Sequence, residues 1–537
     1  MTRGLIQFVL FTLFVTSCAR VSSPQGGPED DQPPILVSSI PEKGQTNYQS
    51  QTILLTFDES VQTRNIESDI IITPRLQTSF KTRVKKNVVE LEFFEPFNDN
   101  TTYSIGLGST IRDITNNNEA QNINLSFSTG PTIDSLTVSG NIRDLLSQDP
   151  REDAIVALYG ESDTTDILNG IASYFAFTDS SGNYQFNNLP SGRYRIYATN
   201  DKNGNNKADS QNEKYGFYTD TLDLNKNLQG IDLTVQNLNT TELRRTSARH
   251  FGEYFDIEFN KAILQFDIES PQTLYNRPEG VEKIRFYRND IVYGDTTEII
   301  YHATDSLGQV LTDTVGVYFQ ESRIEKDDVN LNGLPNRPAA YPFDTLGFRL
   351  SKPIKSLNLD SITITLDSLT VIPLNIDQFQ FNQYRTEIKT GLRLYDHLTR
   401  QNPKLTITLG KGAFITADND SSQKDEINYS FTELIETAVI GGTIITDKDH
   451  IIVQLVNANS KRVIRESNKR NYRFEYIPPG RYFIRVVHDR NNNGSLDVGN
   501  IFNNIQPEEI KYYYDNYYET KLIEVRENWE STADIQF

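Results

Sequence analysis

The chain is poor in the residues on which most enzymatic chemistry is built. Its 537 residues include one Cys, one Met, one Trp and five His. A lone Cys excludes a disulfide framework and any zinc site built on thiolates. The His, at positions 250, 302, 397, 450 and 488, are never closer than 38 residues, so no HExxH motif or local His cluster exists. There is no G-x-S-x-G elbow and no phosphate-cradling glycine loop. Long apolar runs are also scarce: one stretch stands out, Leu5 to Val15 (LIQFVLFTLFV), too short to span a bilayer comfortably. Basic charge is in deficit, 52 Lys and Arg against 72 Asp and Glu, and a net charge of −20 argues against a nucleic-acid partner. The chain is nevertheless not a disordered acidic one. Only 23% of it is charged and 11% is aromatic, and 27 Tyr with 29 Phe can fill several small cores. At about 150 residues per domain, its length predicts three to five domains.

The single Cys explains the single apolar run. Arg3 gives a short positive start, the run supplies a hydrophobic segment of export length, and Val15-Thr16-Ser17-Cys18 follows. That order resembles the bacterial lipoprotein signal, which implies cleavage before Cys18 and lipidation of its thiol. A triacylated Cys18 carries enough CH2 groups for durable anchoring. Ala19, rather than Asp, follows the Cys, so the resemblance implies the outer membrane. Residues 19–34, rich in Ser, Pro, Gly and acid, read as a tether.

From Ile35 onward the pattern is all-β. Short β-branched runs (Ile53 to Phe57, Ile70 to Ile72, Val88 to Phe93, Asn124 to Thr129) alternate between turns, and no 12-residue window holds a helical stripe. SIP at 39–41, LTFDESV at 55–61, NTTYSIGLG at 100–108, IRDITNNN at 111–118 and FSTG at 127–130 resemble the SbsA-type bacterial Ig-like domain, covering 35–130. Such domains are spacers and adhesion modules, not enzymes.

A repeat lies 288 residues apart: FNNLPSGRYRIYATNDKNGNNKAD (186–209) and FEYIPPGRYFIRVVHDRNNNGSLD (474–497) share ten of 24 positions. Its first half resembles the hairpin of transthyretin-like or carboxypeptidase-regulatory-like sandwiches, predicted here at 134–237 and 438–537. Its second half places Asp201, Asn203, Asn205 and Asp209, and again Asp489, Asn491, Asn493 and Asp497, at positions 1, 3, 5 and 9 of an EF-hand-like loop. Calcium takes six to eight hard oxygens, and the carbonyl of Lys207 or Ser495 adds position 7. Position 6, Asn206 or Gly494, needs a left-handed backbone. Position 12 holds Asn212 or Asn500 rather than the usual bidentate Glu, so weak calcium binding is the expectation, with Glu213 a substitute if the first loop is one residue longer. The alternative is an Asx-rich turn without an ion.

The middle of the chain reads less clearly. Alternation at Phe255, Ile257 and Phe259 predicts a β-sandwich of undefined type at 240–330. NGLPNRPAAYP (332–342) reads as a linker. FRLSKPIKSLNLDSITIT (348–365) then echoes the segment from Leu55, predicting a diverged Ig-like domain at 340–437. Tyr512 to Tyr518 reads as a strand–turn–strand with alternate Tyr in a core, and Trp529 as core. Taken together, the lipoprotein signal with both module types resembles large accessory lipoproteins of Gram-negative envelopes. The resemblance implies a non-enzymatic scaffold that binds envelope proteins, with an outer-membrane β-barrel as its partner in assembly or export. The rival reading is cell-surface glycan binding through Tyr-rich strand faces.

Overall fold

A computed structural model describes residues 31–537 except 77–78, 121–122, 210–211, 238, 271–273, 289–295, 321–326, 337–338, 342–343, 368–369, 394–403 and 432–435. Cys18 and the signal segment lie outside the described residues. Strand makes up 51% of the chain and helix 2%, so the fold is all-β, as the alternating runs predict. No helix among the described residues is long and apolar enough to cross a membrane.

Thr52–Phe57 and Val88–Phe93 each alternate half-buried and fully buried side chains, so one face of each strand meets a core. They pair with one another and are flanked by Leu36–Ile40 and Phe80–Lys85 in a four-stranded antiparallel sheet. A second sheet, Ile71–Thr73, Thr102–Gly106 and Asn124–Ser128, covers it. Between them Phe97 contacts Phe93, Tyr103 and Phe127 at ring separations of 5.0, 4.8 and 5.2 Å. Rings at such spacing add to plain area burial.

The segment that carried no defined type has the same plan. Arg245–His250, Tyr254–Phe259, Lys283–Tyr287 and Tyr275–Pro278 form the four-stranded sheet in that order, opposed by Gln265–Glu269, Thr297–Thr304 and Val310–Val317. This third sandwich of the chain repeats the strand order of the first. The fourth sandwich repeats the order with Leu331–Leu334, Thr345–Leu350, Glu387–Arg393 and Phe379–Phe381. Its first strand overlaps the stretch expected to be a linker: Leu331 pairs with Leu350 and Leu334 with Gly347, so Gly333 sits in an edge strand that ends before Pro335 instead of spacing two domains.

The two repeat copies share a different topology. Leu136–Asp144 pairs antiparallel with Asn183–Leu189 and parallel with Leu233–Asn237. Ala438–Ile445 likewise pairs antiparallel with Asn471–Ile477 and parallel with Glu530–Thr532 and Ile535–Gln536. Within the repeat motif the Tyr194 hydroxyl donates to Pro190 O (3.1 Å) and the Tyr482 hydroxyl to Pro478 O (2.8 Å), tying each hairpin turn to its own strand. A glycine stands where the backbones cross closest. A Cβ on Gly140 would lie 2.0 Å from Ile231 O, and one on Gly442 would lie 2.3 Å from Ala533 O.

Candidate functional site

Each Asp/Asn loop follows the hairpin's second strand and is wound around its first acid. Asp201 Oδ1 accepts the N–H groups of Asn203, Gly204 and Asn205, and Oδ2 that of Asn206 at 2.6 Å. Asp489 does the same for Asn493 (3.0 Å) and Gly494 (2.9 Å). The left-handed residues predicted at position 6 are present, with φ 59° at Asn206 and 75° at Gly494. A second left-handed pair, Gly204 and Asn492, was not anticipated. The side chains at positions 3, 5 and 9 converge: Asn203 and Asn205 donate to Asp209 at 3.1 and 2.7 Å, and Asn491 and Asn493 to Asp497 at 2.6 and 3.0 Å. Lys207 and Ser495 each donate their N–H to the Asn two residues before them.

The acid that closes each loop is not at position 12. In the first loop it is Glu213, 1% exposed, which accepts from Lys202 N and Asp209 N at 3.0 and 3.1 Å. In the second it is Glu508, 2% exposed, accepting from Arg490 N and Asp497 N at 2.7 and 3.0 Å. The two acids make the same pair of bonds, although residues 498–507 separate Glu508 from its loop. Burial pushes the Glu508 carboxyl up, the N–H bonds only partly offset this, and the negative charges of Asp497 and Asp489 add to the rise. The sequence hinted at Glu213; nothing in loop spacing pointed to Glu508. Asn500, the expected position 12 of the second loop, donates instead to Leu307 O of the third sandwich. Among the described residues no group of three His, Cys, Asp or Glu side chains stands at metal-holding distance. The side-chain donors gathered here are carboxylate and amide oxygens, of the class that calcium takes. The two Asn amides turn their N–H groups toward the position-9 carboxylate, and would present Oδ1 to an ion after a rotation of the amide.

The Ig-like sandwiches close a turn with charge. Lys261 pairs with Asp305, both under 5% exposed, and Lys352 Nζ donates to Asp418 at 2.8 Å. In the first sandwich Asp113, fully buried, instead accepts four consecutive N–H groups, Thr115 to Asn118. Residues 30–129 match a bacterial Ig-like domain. Residues 443–509 match a family of uncharacterised proteins conserved in bacteria, a span that covers the second repeat copy from its first strand through Glu508. No curated protein matches the chain. Similar solved structures include the N-terminal part of the bacterial S-layer protein SbsC, at 13% identity over 38% of this chain and 44% of that one, with a TM-score of 0.15. SbsC domains 1–6 align at 10% identity over 93% of this chain and 67% of that one, TM-score 0.15. BcpA, the major pilin subunit of Bacillus cereus, aligns at 10% identity over 75% and 99%, TM-score 0.13. The chain spans less than half of the SbsC N-terminal part.

The Ig-like domain at the start is followed by modules that touch out of sequence order. Gln236 donates to Val498 O, Asn504 to Thr219 O at 3.1 Å and Gln506 to Phe217 O at 2.6 Å, so residues 498–507 hook the last module onto the first repeat copy. Val498 and Ile501 pack with Tyr215, Phe217 and Leu307. Beside them Leu145 is buried against Ile452, Val487 and Ile510. The tyrosine run behaves differently from expectation: Tyr513 packs against the last module's core and Tyr512 against the cluster around Leu145, while Tyr514, Tyr517 and Tyr518 are exposed because the chain turns back between Asp515 and Thr520. Trp529 is not core either. It is half exposed, with Arg526 5.3 Å from its ring.

Proposed function

We propose that the chain is a lipid-anchored, non-enzymatic scaffold of the outer membrane, held by Cys18 and projecting five β-sandwiches that bind an envelope protein, with a β-barrel as the expected partner. The observation that carries this reading is the lipoprotein-like sequence at Leu5–Cys18 followed, among the described residues, by β-modules. The buried carboxylates support a structural role: Asp113 is held by N–H groups of its own turn, and Asp144 and Asp418 by Lys214 and Lys352 from other parts of their own sandwiches. The hook at 498–507 fits a scaffold, because it fixes modules that a simple string would leave free to swing. The Asp/Asn loops are read here as weak calcium sites formed by Asp201, Asn203, Asn205, Lys207 O and Asp209, and by Asp489, Asn491, Asn493, Ser495 O and Asp497, which would stiffen the last strands of each repeat copy. Isolation of the full-length protein from membranes in mild detergent tests the scaffold role. A stoichiometric β-barrel companion is the expected result; recovery of the protein alone, at every detergent tried, overturns it.

A further inference from the structure

The two repeat copies differ in what covers the outer face of their central sheet. In the first copy, residues 161–173 lie between strands Ile155–Gly160 and Tyr174–Phe177 and fold over that face. Arg195 there donates to Asp163 O and Thr165 O, and Ile167 is fully buried against Tyr159. In the second copy the corresponding connection is the short turn 458–462. The strand Gly480–His488 still alternates, with Tyr482, Ile484 and Val486 in the core, so Phe483 and Arg485 face outward, where no long connection of their own copy folds over them and the side chains of Lys461, Gln454 and Tyr512 reach them from the side. The loop 144–149 of the first copy forms the opposite wall, fixed by the Tyr512 hydroxyl on Leu146 O (2.6 Å) and Lys521 on Ser147 O and Asp149 (2.9 and 3.0 Å). The result is a cleft of about 530 Å³.

In a chain of net charge −20, its lining balances Lys461, Arg485 and Lys521 against Asp144, Asp149 and Glu519. Phe483 and Tyr512 meet edge to face at 6.0 Å, and Tyr514 stands at the mouth, about half exposed. Lys461 rests over the Phe483 ring at 4.7 Å, and Arg485 is held through Nε by Gln454 at 2.6 Å. Neither cation is committed to a carboxylate among the described residues. Aromatic faces beside unspent cations accept a ligand with an apolar ring face and a negative group. Tyr514, Glu519 and Thr520 supply hydroxyl and carboxylate partners for neutral hydroxyls on the same ligand. The volume suits a short oligosaccharide.

We propose that this cleft binds a carboxylated pyranose unit of a polysaccharide, its ring on Phe483 or Tyr512 and its carboxylate between Lys461 and Arg485. The proposal stands apart from the partner-binding role, since its readout is the binding of a free sugar to the protein and needs no partner. Titration calorimetry of the full-length protein with trigalacturonate, and with neutral maltotriose as the comparison, tests it. Trigalacturonate binds, and maltotriose binds at least about tenfold more weakly. Lys461→Gln and Phe483→Ala each weaken binding about tenfold or more, with the melting midpoint unchanged in Lys461→Gln because that ammonium supports no buried group. Raising the salt weakens the acidic ligand and leaves the neutral one unaffected. Absence of binding, equal affinity for both sugars, or full affinity in Lys461→Gln overturns the proposal.

Discussion

Replacing Lys352 by Met tests how the Ig-like sandwiches are closed. The Lys352 and Asp418 side chains are 5% and 3% exposed, so both charges are removed from water. The ammonium also reaches Asp420 at 2.9 Å, but that carboxylate is 36% exposed and the contact contributes little. Without Lys352, Asp418 retains the Thr416 hydroxyl at 2.5 Å and remains a buried carboxylate without its cation. Breaking such a pair costs about 3–5 kcal/mol. The double variant Lys352→Met/Asp418→Leu removes both charges and recovers most of that loss. Several sandwiches in one chain do not unfold as a single two-state unit, so the assay is hydrogen exchange resolved by peptide. Amides of Lys404–Leu409 should lose at least about a hundredfold in protection in Lys352→Met. Those of Val88–Phe93, in another sandwich, should not change. The pH dependence follows with a definite sign. Burial raises the Asp418 carboxyl, but the Lys352 and Thr416 bonds outweigh this and hold it below the ordinary value. Its contribution is therefore fully present above the unfolded value, near pH 4, and is lost as pH falls through the folded one. Burial lowers the Lys352 ammonium, but its two carboxylates outweigh this, so its contribution is lost only as pH rises through a folded value above the usual range for lysine. A loss of protection under tenfold in Lys352→Met, or a double variant no better than the single, would refute the reasoning.

Three further outcomes are expected. Gly442→Ala forces a Cβ to within 2.3 Å of Ala533 O and should destabilise the last module by about 3 kcal/mol or more, read by exchange in Ile451–Asn457; Gly494→Ala, where a Cβ meets open space, should cost only the strain of its positive φ, about 1 kcal/mol. If the loops take calcium at about 1 mM, then about 10 mM calcium adds near 1.4 kcal/mol to each repeat copy, about 6–11 °C in its melting midpoint, and Asp201→Ala and Asp489→Ala should each abolish the rise in one copy only. In EDTA the raised Glu508 carboxyl makes the folded last module bind the proton more tightly than the unfolded chain, so its stability should fall as pH rises above the usual glutamate range, and calcium should flatten that fall.

Features carried by contiguous residues were the most legible in the sequence. The repeat motif, the alternating strands and the left-handed position 6 depend on neighbours a few residues apart, and each has its predicted conformation. That 240–330 shares the plan of the first sandwich was hidden because its evidence is a pairing order between distant strands. Glu508 escaped notice for a related reason: residues 498–507 interrupt the loop, and only the folded chain brings it to the position that Glu213 holds directly. The cleft was illegible because it arises from what 458–462 no longer covers. Alternate tyrosines of 512–518 and Trp529 were expected in a core; the expected turn is present, but at 515–520 it sends Tyr514, Tyr517 and Tyr518 outward together, and Trp529 is half exposed.

The proposed anchor at Cys18 would fix where every module works. Growth of cells with an alkyne-tagged palmitate, followed by membrane fractionation of the wild-type protein and Cys18→Ser, tests it directly. The account predicts label on the wild-type protein in the outer-membrane fraction, and an unlabelled Cys18→Ser chain absent from that fraction. An unlabelled wild-type protein, or label retained in Cys18→Ser, would contradict it.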